Sequence, residues 1–357
     1  MITTKPTIGG DPEFFIVEKI GDKYKAITAD KVLPSKLKKA QLTNGWAFFD
    51  GVQAELNPNP ANCREHFIGY LHSNLAEVYD SCVRRLKIPE ENIAFTAQAS
   101  IPVDKDILKG ADKECFRFGC SPDFNIYTES PLKYPDGKKF MTRFAGGHIH
   151  LGFDDINYHK KVNSPEKLLN LVRLLDTIPG VMAIAISNGE EEKIRRGWYG
   201  KAGTYRIQTH GLEYRTLSSF WLLCPPLTSL FTGLARDCFT IVYNDMENIF
   251  FDKVDVEEVR KIIDTSDIDG AKKFYYNTLS KIYDKECSIS NSPMRYRKSI
   301  DIMVKNGYRH FFDPYKMLNY WNIREPYLVL KGGVGYYGIA SFNEDDNMEN
   351  LKIIMES

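Results

Sequence analysis

The 357-residue sequence predicts an α+β fold built on an antiparallel sheet. Three observations predict it: early segments alternate apolar and polar residues around hairpin turns, long segments of helical spacing follow, and no regular βαβα alternation appears. A doubly wound parallel sheet is the weaker choice on the same evidence of pattern. Residues 14–30 and 44–57 alternate with period two around Gly21-Asp22 and Asp50-Gly51, which reads as antiparallel strands. After Asn57-Pro58-Asn59-Pro60, helical spacing runs over 62–86, opening with Asn62 and Glu65 in capping-box register. A second sheet-like block covers 94–152, a second helix 165–178, and the apolar run VMAIAISN closes at Asn188-Gly189. The strand GLEYRTLSSFW follows, then helices over 225–244, 256–263 and 270–282. Polarity rises after residue 252, so a boundary is expected near 250, between a catalytic unit of 1–250 and a helical extension or lid of 251–357.

Composition narrows the function. Apolar residues make up 43%, charged residues 26% and aromatics 13%, as in a folded globular chain. Forty-seven basic residues balance forty-seven acidic ones, which argues against nucleic acid or an anionic membrane as partner. Seven scattered cysteines without a Cys-x-x-Cys pair support neither a disulfide framework nor a thiolate zinc site and fit a reducing cytoplasm. The N-terminus lacks a signal-peptide pattern, and no stretch approaches ~18 uninterrupted apolar residues.

Four segments place polar residues at alternate strand positions, where side chains share a face. They are Asp11 and Glu13 in GGDPEFFI; Gln53, Glu55 and Asn57 in DGVQAELNPN; His148 and His150 in GGHIHLGF; and Glu213 and Arg215 in GLEYRTLSSF. Converging carboxylates with one imidazole suit Mg²⁺ or Mn²⁺, whereas zinc wants more His or Cys. An arginine beside such a glutamate offers a fixed fork for a phosphate or carboxylate. Taken singly, each pair is more often the wet face of a sheet; the four together favour a site. YGKAG at 199–203, with Arg195, Arg196, Lys201 and Arg206 nearby, is either a plain turn or a phosphate-binding loop. Neither a Walker loop nor a dinucleotide fingerprint occurs. Glu65 reads as a helix cap, Glu190 to Glu192 as a solvated face, and His66, His72, His159, His210 and His310 as ordinary histidines.

Five segments, GGDPEFFI, DGVQAELNPNP, GCSPDFNIY, RFAGGHIHLGF and YGKAGTYRIQTHGLEYRTLSSFW, resemble in content and order the phage-associated carboxylate–amine ligases known as phiEco32-like amidoligase type 2, of the glutamine synthetase-like superfamily. The likeness covers about residues 8–225. It implies a curved antiparallel half-barrel with flanking helices that holds ATP and two or three divalent ions. It implies transfer of the γ-phosphate to a carboxylate and attack by an amine. Carried over, Asp11, Glu13, Glu55, His148 and Glu213 are the expected metal ligands, and Arg215, His150 and Arg206 the expected catalytic groups. Arg195, Arg196, Lys201, Arg206 and Arg215 are expected at the nucleotide phosphates, while Asp123 and Arg143 lie in matching motifs without an assigned role. One departure is Asp-Pro-Glu where the superfamily has Glu-x-Glu, which shortens Asp11 by one methylene; another is the lack of a further carboxylate near Glu55. The acid and amine are left open among amino acids, peptides and protein side chains, as is assembly into homo-oligomers. Two other readings stay in view: a metal-dependent hydrolase using His148, His150, Glu55 and Asp11, and a non-catalytic virion component keeping the fold.

Overall fold

The computed structural model describes residues 6–117, 124–128, 140–153, 161–187, 189–286 and 292–324. Asp123, His159 and the aromatic stretch beyond Arg324 lie outside them. The described strands are β1 (Thr7–Ile20), β2 (Lys23–Ile27), β3 (Ala40–Leu42), β4 (Gly45–Asp50), β5 (Gln53–Pro58), β6 (Ile93–Thr96), β7 (Ser100–Pro102), β8 (Phe124–Asn125), β9 (Thr142–Phe144), β10 (Gly147–Gly152), β11 (Thr204–Gln208) and β12 (Gly211–Tyr214). Ten of them form one open sheet in the order β3-β4-β5-β1-β10-β12-β11-β8, with β2 and β6 also paired to β1; β7 pairs with β9. Every pairing is antiparallel, in agreement with the expected class.

Alternation decides which face is buried. Ile8 and Phe14 of β1, Ala54 and Leu56 of β5, Ile149 and Leu151 of β10, and Leu212 and Tyr214 of β12 have no exposed surface. Helices Arg64–Arg85, Pro165–Leu175 and Pro225–Tyr243 cover this face. One apolar core runs from Ile8 to Trp321, and helices Val256–Thr265, Ile268–Phe274 and Arg297–Asn306 pack against Val181–Ser187.

Two local expectations change. The first long helix starts at Arg64, and Cys63, not Asn62, is its N-cap, its Sγ accepting from the His66 amide at 3.4 Å. Glu65 is therefore one position too early for a capping box. The helix expected over 165–178 does not stop there: Pro165–Leu175 runs through a π-helical turn, Asp176–Gly180, into Val181–Ser187. Pro179 lacks an N–H and would crowd an α-helical turn, and the wider turn absorbs it. The combined helix, Pro165–Ser187, is long and apolar enough to cross a membrane by composition alone, but 83% of its most apolar window is buried inside the protein.

Candidate active site

Sheet register assembles the site. Across β1 and β10, Asp11 lies opposite His148 and Gly9 opposite His150; across β1 and β5, Glu13 lies opposite Glu55. His150 faces Glu213 on β12, and Glu213 faces Arg206 on β11. Because directly paired residues share a face, Asp11, Glu13, Glu55, His148, His150, Arg206 and Glu213 all project from the side opposite the helices. Arg215, two residues beyond Glu213, joins them by bonding to Glu213 and reaching His148 Nδ1 at 3.1 Å.

Two groups of ligand-type atoms result. In the first, Asp11, His150 and Glu213 bring one oxygen or nitrogen each within 4.8 Å of one another. Asp11 Oδ1 lies 2.9 Å from His148 Nδ1 and 3.4 Å from His150 Nε2, which in turn lies 4.0 Å from Glu213 Oε2. That His150 nitrogen is buried and makes no well-aligned hydrogen bond among the described residues, its 3.4 Å approach to Asp11 leaving both atoms turned to the same space. Burial acts to raise the Asp11 carboxyl, but His148 and His150 outweigh it and hold it well below the usual range. Burial and Asp11 push Glu213 up, and His148, Arg215 and His150 together bring it below its ordinary value. His150 is raised, since Asp11 and Glu213 outweigh its burial, whereas burial and Arg215 lower His148.

The second group is Glu13, Asp50 and Glu55. Burial raises Glu13 to about 8, with Asp50 and Asp11 adding to the effect, and burial followed by Asp11 raises Glu55 well above its ordinary value. Asp50 is the carboxylate near Glu55 that the sequence pattern did not yield, because it reads there as half of a turn. The two-residue connection of β4 to β5 pairs Asp50 with Gln53, which turns Asp50 onto the face of Glu55. Gly51, at φ +69°, supplies the positive φ such a tight hairpin requires. Opposite, Glu13 Oε2 accepts from the Gly146 amide at 2.6 Å, and the Glu13 amide donates to the Gly146 carbonyl at 2.8 Å. A Cβ on Gly146 would meet His148 Nε2 at 2.6 Å, and one on Gly147 would meet the Ser218 carbonyl oxygen at 2.2 Å. The paired glycines entering β10 thus leave room for the His148 ring and for the Ser218 backbone.

Two clefts border these groups. One, of about 550 Å³, is bordered by Asp11, Glu55, His150 and Glu213 and by the cations Lys36, Lys39 and Arg206. The other, of about 50 Å³, is bordered by Glu13, Asp50 and four arginines, Arg117, Arg143, Arg195 and Arg215. Of the expected residues, Arg196 and Lys201 border neither. Arg196 is 1% exposed and bonds to the Thr216 carbonyl. Lys201 Nζ donates to the Asp264 carbonyl at 3.0 Å, and the Ala202 amide donates to the Asp264 carboxylate at 2.8 Å. The 199–203 loop therefore offers its donors to the neighbouring helix, and an acid of this chain occupies the place proposed for phosphate. Arg195 does reach the smaller cleft, while its guanidinium also bonds the Thr216 and Leu217 carbonyls at 3.0 and 2.9 Å. Glu192, expected on a solvated face, is 3% exposed and accepts from Ser218. His210, given no role from sequence, stacks on His150 with ring centroids 5.3 Å apart. Its position beside His150 comes from the turn between β11 and β12 and the pairing of β12 with β10, which no residue pattern announces.

Residues 125–298 match the family model described as phage phiEco32-like COOH.NH2 ligase-type 2. Among curated proteins no relative matches the chain. The match takes in β10, β11 and β12, while Asp11, Glu13, Asp50 and Glu55 precede it and reach the site through strand pairing. By that match the segment bearing His148, His150, Glu213 and Arg215 is similar to the phiEco32-like ligases of type 2, a family named for joining a carboxylate to an amine.

Proposed function

We propose that the protein is an ATP-dependent, Mg²⁺-dependent carboxylate–amine ligase working on a glutamine synthetase-like sheet. The observation that carries this reading is the register: β5, β1, β10 and β12 present acids, imidazoles and a guanidinium at paired positions on one face. In the proposed reaction a carboxylate oxygen of the acid attacks the γ-phosphorus of ATP, the bond to the bridging oxygen breaks, and ADP leaves. The amine nitrogen then attacks the acyl carbon, phosphate departs with one oxygen of the acid, and the nitrogen gives up a proton.

Asp11, His150 and Glu213, and separately Glu13, Asp50 and Glu55, are the residues that would hold Mg²⁺ or Mn²⁺. A bound divalent ion would supply a clamp on phosphate oxygens and offset their charge. In this arrangement His150 takes the ligand role expected of His148, and His148 orients Arg215 at 3.1 Å. Arg215 presents a planar fork to charge developing on the transferred group. Arg206 and the lysines suit nucleotide phosphates in the larger cleft, whose about 550 Å³ is in the range of nucleotide-sized sites.

An acid labelled with ¹⁸O in its carboxylate tests the reading. One label is expected in inorganic phosphate, together with ADP, and only with Mg²⁺ and an amine present. Amide or ester cleavage without nucleotide would instead support the hydrolase, and binding of neither metal nor nucleotide the scaffold.

A further inference from the structure

The two clefts differ in size by enough to say how the acid is held. A water occupies roughly 10–15 Å³ on this measure, so the arginine-lined cleft of about 50 Å³ holds only a few heavy atoms. A carboxylate fits; the rest of an amino acid does not. Four arginines border it against two carboxyls, Glu13 and Asp50, an excess of positive charge that suits an anion even though Arg143 and Arg195 also bond to backbone carbonyls and Arg215 to Glu213.

Outward from this cleft the wall turns aromatic. Phe144 and Tyr199 border the cleft itself, with ring centroids 5.5 Å apart. Phe140 packs on Phe144 at 5.8 Å and on Trp198 at 5.1 Å. Exposure grows along the series, from 4% at Phe144 to 38% at Trp198. Trp198 does not border the cleft; it is reached through Phe144 and Phe140, and its exposed part offers an apolar surface to whatever the carboxylate is attached to.

We propose that this chain's acid substrate enters head first: its carboxylate alone occupies the arginine cleft, and an apolar or aromatic body rests outside on Phe140 and Trp198. The substrate class is a carboxylate borne on an aryl or alkyl group, from a free aryl acid or from a peptide whose carboxyl-bearing residue is apolar. A free dicarboxylic amino acid lacks that body. This rests on the ligase reading for its direction of chemistry, but binding can be measured without turnover.

The experiment uses the full chain with four acids: 3-phenylpropionate, a tripeptide ending in phenylalanine, the same tripeptide ending in glycine, and glutamate. Calorimetry measures binding with Mg²⁺ and a non-hydrolysable ATP analogue, and ADP release with a simple amine measures turnover. Affinity for one or both aryl acids at least about tenfold above that for glutamate and the glycine peptide is expected. Which aryl acid binds better identifies the source. Trp198→Ala should raise KM for the aryl acids about tenfold while leaving kcat and the KM for ATP unchanged, and Trp198→Phe should restore it. Glutamate binding as well as the aryl acids, or a Trp198→Ala variant with unaltered affinity for them, would overturn the proposal. Aryl-acid binding without ADP release keeps the pocket and removes the ligase; ADP release favouring glutamate keeps the ligase and removes the pocket.

Discussion

The two acidic groups on the sheet lie one strand pair apart and sit in opposite electrostatic states. Asp11 and Glu213 are surrounded by His148, His150 and Arg215 and stay ionised. Glu13 and Glu55 face mainly other carboxyls, Asp50 and Asp11, and are pushed up by burial and by that repulsion. One group is compensated by its own protein; the other must take up a proton or a cation. The difference means that an added divalent ion changes the second group far more than the first.

Breaking either group outright should have the largest effect. Glu13→Gln and Glu213→Gln are each expected to reduce ligation by about a thousandfold or more with circular dichroism unchanged, because each removes a carboxyl oxygen able to hold a cation at the centre of the site. Near-normal rates in both would dissolve the comparison. Arg215→Lys should cost about a hundredfold, since a point charge does not reproduce the fork that spans Glu213 and His148. Asp50→Asn removes a carboxylate from the second group, along with its 3.5 Å contact to Lys36, and should weaken Mg²⁺ binding about ten- to hundredfold by calorimetry.

A milder probe is pH. Glu13 has an ordinary value of 4.5 and a folded value of about 8, so between these the folded chain keeps a proton that the unfolded chain has lost. Stability without metal should therefore fall as pH rises across that window and level off above it. Metal binding displaces the proton, so the rise in Tm on adding Mg²⁺ should be greater at pH 8 than at pH 6. Equal rises at both values would exclude Glu13 as a ligand. The smallest effect is expected at Lys201, which faces Asp264: Lys201→Ala should leave the KM for ATP within about twofold of the parent. A tenfold rise would return the 199–203 loop to the phosphates.

Much of the site was legible because strands repeat every two residues. Asp11 and Glu13, His148 and His150, and Glu213 and Arg215 were each recognisable as neighbours on a face, and so was the antiparallel class. The pairing between strands was not, and Asp50 and His210 owe their positions to it. The helix expected over 165–178 falls short of the observed one, since a proline such as Pro179 ordinarily ends a helix and only the packed interior reveals the wide turn that accommodates it. Arg196 and Lys201 show the converse: basic residues near glycines look like anion binders until Arg196 Nη1 and the Lys201 ammonium are found bonded to carbonyls of the same chain, away from both clefts.

The tight turn at Gly51 sets the parity of the whole constellation. Inserting one residue there would rotate Asp50 to the helix-packed side without disturbing a single ligand's identity, whereas inserting two could preserve it. Length variation among such hairpins should therefore come in even steps, a signature readable in lineages of this chain before any enzyme is assayed.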